Sequence, residues 1–596
     1  MKTTLEEIVE ALSRCGDDPQ LKSAVLAGFV IRTHAEPLQS RVFDAMDAAA
    51  VLHWFDADLL RRVLGISPDD ANERFEALKG FSFVERYGGS QDEIRNVHEN
   101  TRLGWRRLML QERPARFREL SAMAGSLFAS ETDPYLQVEW IFHLLSGSPN
   151  EGATELEKLD RTWSGGARPE HRASMARALR ELLDGRFLAG RAMAWALMAV
   201  AWEQVAREDG ASDAVGAAAE TAMKLAQDTG DTRAEADAWC LKGDWLAARG
   251  KTADAGVAFR RCLKLNVRLA ALDPSNAGCQ QELAVAHSRM GGVLEVQGNL
   301  SGALESFGQA LEVFRRLAEL DPGNAGWQRE FAVAHGRVGA VLDAQGNLSG
   351  ALDSFRQHLK ISRRLAELDP GNAGWQRELA VALGRFGGAL EEKANHSGAL
   401  ESFGEALKIS RRLAELDPGN SGWQRGLAVA HNRIGEVLSA QGNRSGALES
   451  FGEALKISRR LAELDPGNPG WQRELAVAHA VMGRVLQAYG NLSGALESFG
   501  EALKIFRRLA DLDSGHAGWQ RELAVGLYWL AHVLEKQGRD ADALPFREES
   551  VRQMKRAAEM APAVARWGHE LDQLEARLAA CRARVAGGNG GNPRSS

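Results

Sequence analysis

The sequence Asp321-Pro322-Gly323-Asn324-Ala325-Gly326-Trp327 recurs along the chain, and its recurrence decides the fold. Both the Asp-Pro pair and the tryptophan return at steps of 48 residues. A fixed period of this length indicates stacked structural repeats. The aspartates of the Asp-Pro pairs are Asp273, Asp321, Asp369, Asp417 and Asp465, and the tryptophans are Trp327, Trp375, Trp423, Trp471, Trp519 and Trp567.

Each copy contains two apolar segments with helical spacing. Residues 327–345 form the first segment, and Gly346-Asn347 ends it because glycine suits a left-handed terminus and asparagine caps the next helix. Residues 348–368 form the second, which stops at Asp369-Pro370 because proline cannot continue a helix. One such hairpin cannot bury its own apolar face, so the copies must stack. The sequence therefore predicts an all-α solenoid.

The small and aromatic residues within a copy resemble those of tetratricopeptide repeats. That family has a small residue in helix A and an alanine, an aromatic and an alanine in helix B, which here are Gly291, Ala303, Phe307 and Ala310. The copies are longer than the common 34-residue repeat. The resemblance implies a superhelix of about eight hairpins over residues 190–561, followed by a capping helix over 562–586 and a disordered tail over 587–596.

The residues before the repeats lack this period. We expect an N-terminal helical segment, a winged-helix module and a helical arm, over residues 1–35, 36–112 and 113–189. Within the module, the pattern predicts helices over 41–54, 56–64 and 68–78 and a hairpin of strands over 81–87 and 94–98, turned by Gly88-Gly89-Ser90. The module and arm resemble the region that follows the nucleotide-binding domain in bacterial STAND-type signalling ATPases.

The chain has no recognisable nucleotide-binding or catalytic motif. The nearest match to a phosphate loop is Gly250-Lys251-Thr252, but Trp245 stands where the loop requires glycine. No cysteine pair has the C-x-x-C spacing of a zinc site, and no Ser-His-Asp or Cys-His spacing stands out. We therefore predict no enzyme activity, no catalytic residues, no cofactor and no metal.

Charge and hydropathy limit the partners. The net charge of −7 argues against a nonspecific nucleic-acid coat, which needs clustered basic residues. The most apolar stretch, residues 188–206, is interrupted by Arg191 and Glu203, which favours a buried helix over a membrane span. We expect a cytoplasmic protein with no membrane and no nucleic-acid partner.

The copies differ mainly on helix A, at columns spaced four and three residues apart that share one helical face. By the resemblance, these columns line a concave groove for a protein or peptide, and the bulky C-terminal copies favour contact there. A separate arginine column, of which Arg337 and Arg385 are members, is interpreted as a solvated face with local ion pairs. The candidate partner-binding residues are Glu295, Asp343, Glu391, Asn432, Glu436, Arg484, Gln487, Tyr528, Trp529, His532, Glu535 and Lys536.

These observations predict a protein-interaction scaffold or sensor in bacterial signalling, with a defence-type system as one setting. Two alternatives stay open at this point: a transcription regulator that uses the winged helix, and a regulatory subunit of a separately encoded effector enzyme or ATPase. The acidic start of the segment 67–79, where a DNA-binding module would need positive charge, argues against the first alternative.

Overall fold

The computed structural model of the protein describes residues 5–88, 93–165, 169–206, 211–561 and 565–588. These ranges contain 27 helices and one two-stranded antiparallel sheet, which confirms the all-α prediction. No helix among them has the length and apolar character needed to cross a bilayer. The chain divides into two compact units, one up to Leu241 and one from Lys242 onward, with the boundary inside helix α13 (Thr232–Ala248).

The first unit holds the N-terminal helices and the sheet. It extends past residue 190, where the sequence placed the first repeat, because α10 packs on α11. Its elements are α1 (Leu5–Arg14), α2 (Pro19–Ile31), α3 (Leu38–Val51), α4 (Ala57–Leu64), α5 (Pro68–Lys79), β1 (Val84–Arg86), β2 (Arg95–Val97), α6 (Glu99–Glu112), α7 (Pro114–Phe128), α8 (Pro134–Gly147), α9 (Pro149–Gly165), α10 (Pro169–Asp184), α11 (Gly190–Ala206) and α12 (Asp213–Thr229).

Helices α3 to α5 and the sheet supply the elements predicted for the winged helix. Val84 pairs with Val97 in the antiparallel register, and Phe55 forms an isolated bridge with Arg95. The strands are shorter than the predicted segments 81–87 and 94–98. Arg95 of β2 thus pairs with Arg86 of β1 on one side and with Phe55, which precedes α4, on the other. The predicted turn falls largely on residues 89–92, which lie outside the described ranges.

A buried ion network joins four segments of the first unit. His53, after α3, lies 2.7 Å from the Glu139 carboxylate of α8 through Nδ1. Arg102 of α6 donates to Glu181 of α10 at 3.0 Å, and Arg106 binds the same carboxylate. Despite its burial, the charged neighbours of Glu181 hold its pKa well below the usual range. Because every charge here has a partner, the network fits a structural role.

The second unit consists of regular helix pairs and a final single helix. Each helix contacts the one before it and the one after it. Its elements are α14 (Thr252–Leu272), α15 (Ala277–Val296), α16 (Leu300–Leu320), α17 (Ala325–Ala344), α18 (Leu348–Leu368), α19 (Ala373–Glu392), α20 (His396–Leu416), α21 (Ser421–Ala440), α22 (Arg444–Leu464), α23 (Pro469–Ala488), α24 (Leu492–Leu512), α25 (Ala517–Lys536), α26 (Asp540–Met560) and α27 (Ala565–Gly588).

Two repeated contacts fix each first helix of a pair. Within a pair, glycine lies against phenylalanine: a Cβ on Gly339 would lie 2.7 Å from the Phe355 ring, so a larger residue would push the helices apart. Between pairs, a glutamine bonds the preceding second helix, as Gln328 does when its Nε2 donates to the Ala318 carbonyl at 3.0 Å. Asn324 caps the same helix by accepting from the Trp327 N–H. The small and aromatic positions therefore set the helix spacing.

The C-terminal segment differs slightly from the prediction. Helix α27 continues to Gly588, two residues beyond the predicted end of the capping helix. Residues 589–596 of the predicted tail lie outside the described ranges. Trp567 is buried beside Ala517 and Ala557, so α27 keeps the tryptophan position of the repeat although no second helix follows it in the described part.

Candidate functional site

The candidate site is the surface formed by the first helices of the pairs from α15 to α25, which we name the helix A face. Neighbouring first helices meet directly, since α17 contacts α19 and α19 contacts α21. The columns that differ between copies therefore form a continuous surface across several repeats. Side chains on this surface fall into an acidic strip, an arginine pair and an aromatic cluster.

The acidic strip contains the N-terminal candidate residues. Burial and the charge of Glu436 raise the pKa of the Glu391 carboxyl, and burial and Asp343 raise the pKa of Glu392. Glu436 accepts a hydrogen bond from Arg433 Nη1 at 3.1 Å. The carboxylates of neighbouring repeats thus crowd one another. The candidates in this part, all partly buried, are Glu295, Asp343, Glu391, Asn432 and Glu436.

The aromatic cluster contains the C-terminal candidates. Tyr528 and His532 stack with ring centroids 6.1 Å apart, and Trp529 stacks on Phe499 at 6.0 Å. Arg484 lies over the Trp529 ring at 5.9 Å, and Arg484 itself is exposed. The cluster is therefore packed within the repeats, with Arg484 at its solvent side. Gln487 is partly buried with its Oε1 unpaired, and Lys536 is exposed.

Two of these candidates also hold the C-terminal helices in place. The Glu535 carboxylate accepts from Arg547 Nε at 3.0 Å and Nη2 at 2.7 Å, and Arg584 of α27 lies 3.0 Å from it. Tyr528 packs against the Arg547 guanidinium, 4.5 Å from the ring centroid. These contacts could not be predicted from the sequence, because they depend on how α26 and α27 pack against α25. A substitution at Tyr528 or Glu535 therefore disturbs the fold as well as the surface.

The arginine pair lies in the middle of the helix A face. In this column Arg289 binds Asp244 at 3.0 Å and Arg433 binds Glu436, but Arg337 and Arg385 have no ion-pair partner in the described part of the chain. Arg385 Nη1 instead donates to the Gly336 carbonyl at 2.5 Å. Partial desolvation and the charge of the preceding arginine in the column lower the pKa of both Arg337 and Arg385. Carboxylates such as Glu295 attract these two guanidinium groups only at a distance, and neither forms an ion pair among the described residues.

Glycines leave open space beside this pair. A Cβ on Gly384 or Gly388 would meet no atom within 4 Å, and one on Gly292 would approach only Arg337 Nη1, at 3.8 Å. Both arginine side chains keep solvent exposure. A carboxylate from a partner thus has room to approach both guanidinium groups, which bind carboxylates with geometric specificity.

One cluster has the residue types of a metal site. Glu535, Asp540 and Cys581 are the only group in the described ranges with three such ligand atoms close together. Arg584 Nε donates to Asp540 at 2.8 Å, and Arg547 and Arg584 bind Glu535. Charge pairing within the protein explains why these carboxylates lie together, so the cluster does not require an ion.

The comparison with protein families decides what the repeats are. Residues 427–468, within α21 and α22 and the loop after them, match the family model described as tetratricopeptide repeat. The α21–α22 hairpin thus matches a tetratricopeptide repeat, and the other hairpins repeat its sequence at a 48-residue period. This match supports a protein-interaction module, and such repeats are typically non-catalytic. No curated protein sequence matches the chain.

Solved structures with tetratricopeptide repeats resemble the chain only distantly. A STAND protein with a tetratricopeptide repeat sensor from Pyrococcus horikoshii is 14% identical, with 87% of this chain and 72% of that chain covered and a TM-score of 0.49. A Rap protein complexed with competence and sporulation factor is 15% identical, with 65% and 99% covered and a TM-score of 0.36. BtubC from P. vanneervenii is 18% identical, with 50% and 96% covered and a TM-score of 0.33. Similarity this low carries no argument about function.

Proposed function

We propose that the chain is a non-catalytic scaffold or sensor in bacterial signalling, and that its tetratricopeptide repeats bind a protein or peptide along the helix A face. The observation that supports this is the unpaired couple Arg337 and Arg385 above an open glycine surface. Two neighbouring guanidinium groups without an ion-pair partner repel each other, and a ligand carboxylate bound between them would relieve that repulsion. The partner accordingly presents an acidic side chain or terminus at this position.

The acidic strip next to the pair restricts how the partner lies. Asp343 and Glu391 belong to the same helices as Arg337 and Arg385, two turns closer to the helix ends. A ligand with an acidic group over the arginines and a basic or polar group over the carboxylates would match both. A uniformly acidic ligand would be repelled by the strip, since like charges in contact oppose binding.

Partner capture with charge-reversed variants tests the proposal. Arg337→Glu combined with Arg385→Glu should weaken partner capture from the native host's lysate at least ~30-fold, because charge reversal places like charges in contact with the ligand's acidic group. The matched control is Lys360→Glu combined with Lys408→Glu, which makes the same charge change at exposed positions of α18 and α20. Captured proteins are identified by mass spectrometry, and circular dichroism checks that each variant is folded.

Two outcomes would contradict the assignment to the arginine pair. One is an equal loss of partner binding in both double variants, which would show that the effect depends on net charge and not on the arginine pair. The other is full retention by the arginine variant. A further variant, Arg484→Ala with Lys536→Ala, probes the aromatic end without touching the residues that hold α26 and α27. Loss of binding in that variant alone would move the site to the C-terminal repeats.

A further inference from the structure

A row of solvent-exposed leucines runs along the second helices of the tetratricopeptide repeats. Each leucine is the last residue of its helix, and successive members are 48 residues apart. We name these six residues the leucine row. They and their exposed fractions are Leu272 (82%), Leu320 (70%), Leu368 (67%), Leu416 (69%), Leu464 (66%) and Leu512 (67%).

Packing within the repeats does not account for these side chains. In the same helical turn Leu413 is only 5% exposed and supplies the internal contact, whereas Leu416 points to solvent. The earliest copy, α14, differs from the others along most of its length and still ends in Leu272. A single exposed leucine needs no explanation, but a repeated row of them forms a surface of the kind that proteins use for association.

Charged residues surround each leucine in a fixed order. At Leu416, Arg412 lies one turn earlier, Glu415 immediately before and Asp417 immediately after, and all are exposed. The same order holds at four of the other positions. Within the described ranges, no ion pair involves Arg364, Arg412, Arg460 or Arg508. Four of the six positions, from Leu368 to Leu512, therefore offer an apolar centre with an arginine outside any described ion pair on one side and carboxylates on the other.

We propose that the leucine row is the interface of a homodimer. A partner can match this spacing along the whole row only if it has the same 48-residue period. A second copy of the chain has that period. A two-fold axis along the row reverses the helix direction, so leucine faces leucine while each arginine faces the carboxylates of the other copy. Such a self-complementary patch is what an isologous interface requires.

The two-fold arrangement also sets which positions meet. With the axis along the row, each of the six leucines faces its own counterpart in the other copy. A chain altered at Leu416, Leu464 and Leu512 then loses both members of three facing pairs. This allows half of the interface to be tested without touching α14, α16 or α18.

Sedimentation velocity of the full chain tests the proposal. The wild type should show a species of twice the 64.8 kDa chain mass whose fraction rises across a hundredfold range of concentration, by mass action. Leu416→Lys, Leu464→Lys and Leu512→Lys together should raise the dimer Kd at least ~30-fold, because central apolar contacts carry most of the binding energy. Circular dichroism verifies folding. If the lysine variant unfolds, the corresponding Leu→Gln triple variant replaces it in the same measurement.

The matched control introduces three lysines on the same helices away from the row. Gly404, Gly452 and Gly500 face open space on α20, α22 and α24, and a Cβ there meets nothing within 4 Å. Their replacement by lysine should leave the dimer intact. A wild type that stays monomeric at the highest concentration, a leucine variant that dimerises like the wild type, or a glycine variant that loses the dimer equally would each overturn the proposal. A monomeric wild type would assign the row to a different protein.

Discussion

His358 occupies a position that alanine holds in the neighbouring copies, at Ala310 and Ala406. The histidine is 2% exposed, and neither of its ring nitrogens has a hydrogen-bond partner. Gly336 makes room for it, since a Cβ there would lie 2.7 Å from His358 Nδ1. Burial, with the nearby charge of Arg385, lowers the pKa of His358 to about 3. The large side chain of His358 and the missing side chain of Gly336 thus compensate each other in volume within a single repeat.

This histidine should make stability depend on pH. Its folded pKa lies below the unfolded value of 6.5, so the unfolded chain binds the additional proton and stability falls as the pH drops below that value. Between about pH 7.5 and pH 5.5 the loss from His358 amounts to about 1 kcal/mol. We expect His358→Ala to reduce the difference between urea unfolding free energies at these two pH values by about this amount. An unchanged difference would show that His358 does not titrate as inferred.

At the scale of helices, ion pairs link successive first helices. Arg425 binds Glu474 at 3.0 Å, and Arg521 binds Glu570 at 2.7 Å, each 49 residues further along. Between α19 and α21 the corresponding partner of Arg377 is Gly426. A glycine inside a helix also lowers its stability relative to alanine. Among the joints from α17 to α27, the one between α19 and α21 is therefore the only one without this link in the described residues.

Gly426→Glu should restore the link and stabilise the second unit. The expected gain is about 1–2 kcal/mol, of which about 1 kcal/mol comes from replacing a helical glycine and the rest from an exposed ion pair. Gly426→Ala is the control that supplies the helical part alone. Hydrogen exchange should show added protection centred on α19 and α21, because repeats couple mainly to their neighbours. Equal stability of the two variants would mean that Arg377 does not engage the new carboxylate.

The repeat fold could be predicted from periodicity, whereas the charge pairing could not. Asp-Pro, tryptophan and glycine positions recur at one spacing, so a single hairpin predicted all the others. The Arg337 and Arg385 pair was missed because Arg289 finds Asp244 on a different helix, while Arg337 finds no carboxylate. Whether a charge is paired depends on three-dimensional neighbours that periodicity does not reveal. For the same reason, the sequence placed Glu535 on a binding surface although it also anchors α26 and α27.

At the scale of the whole molecule, the paired charges around α5 bear on DNA binding. Arg74 of this helix lies 2.7 Å from both Asp44 and Asp70, and Arg41 binds Asp70 and Glu73. Its basic groups are thus already neutralised within the first unit. With a net charge of −7, the full chain should not retard duplex DNA in a gel shift even at low salt, where electrostatic attraction is strongest. Sequence-specific retardation at submicromolar protein would instead favour a transcription regulator.

The near identity of the second helices affects how the chain reaches its native state. Helices α20 and α22 differ only at their first residue, so α21 meets almost the same surface whichever of the two it docks against. During folding, a hairpin can be skipped and looped out with little loss of contact energy, which is a characteristic misassembly of repeat proteins. His358 with Gly336, and Gly426 opposite Arg377, distinguish their own repeats from the others. These irregularities specify the order of the repeats, because a chain assembled one repeat out of step would place His358 opposite the wrong neighbour.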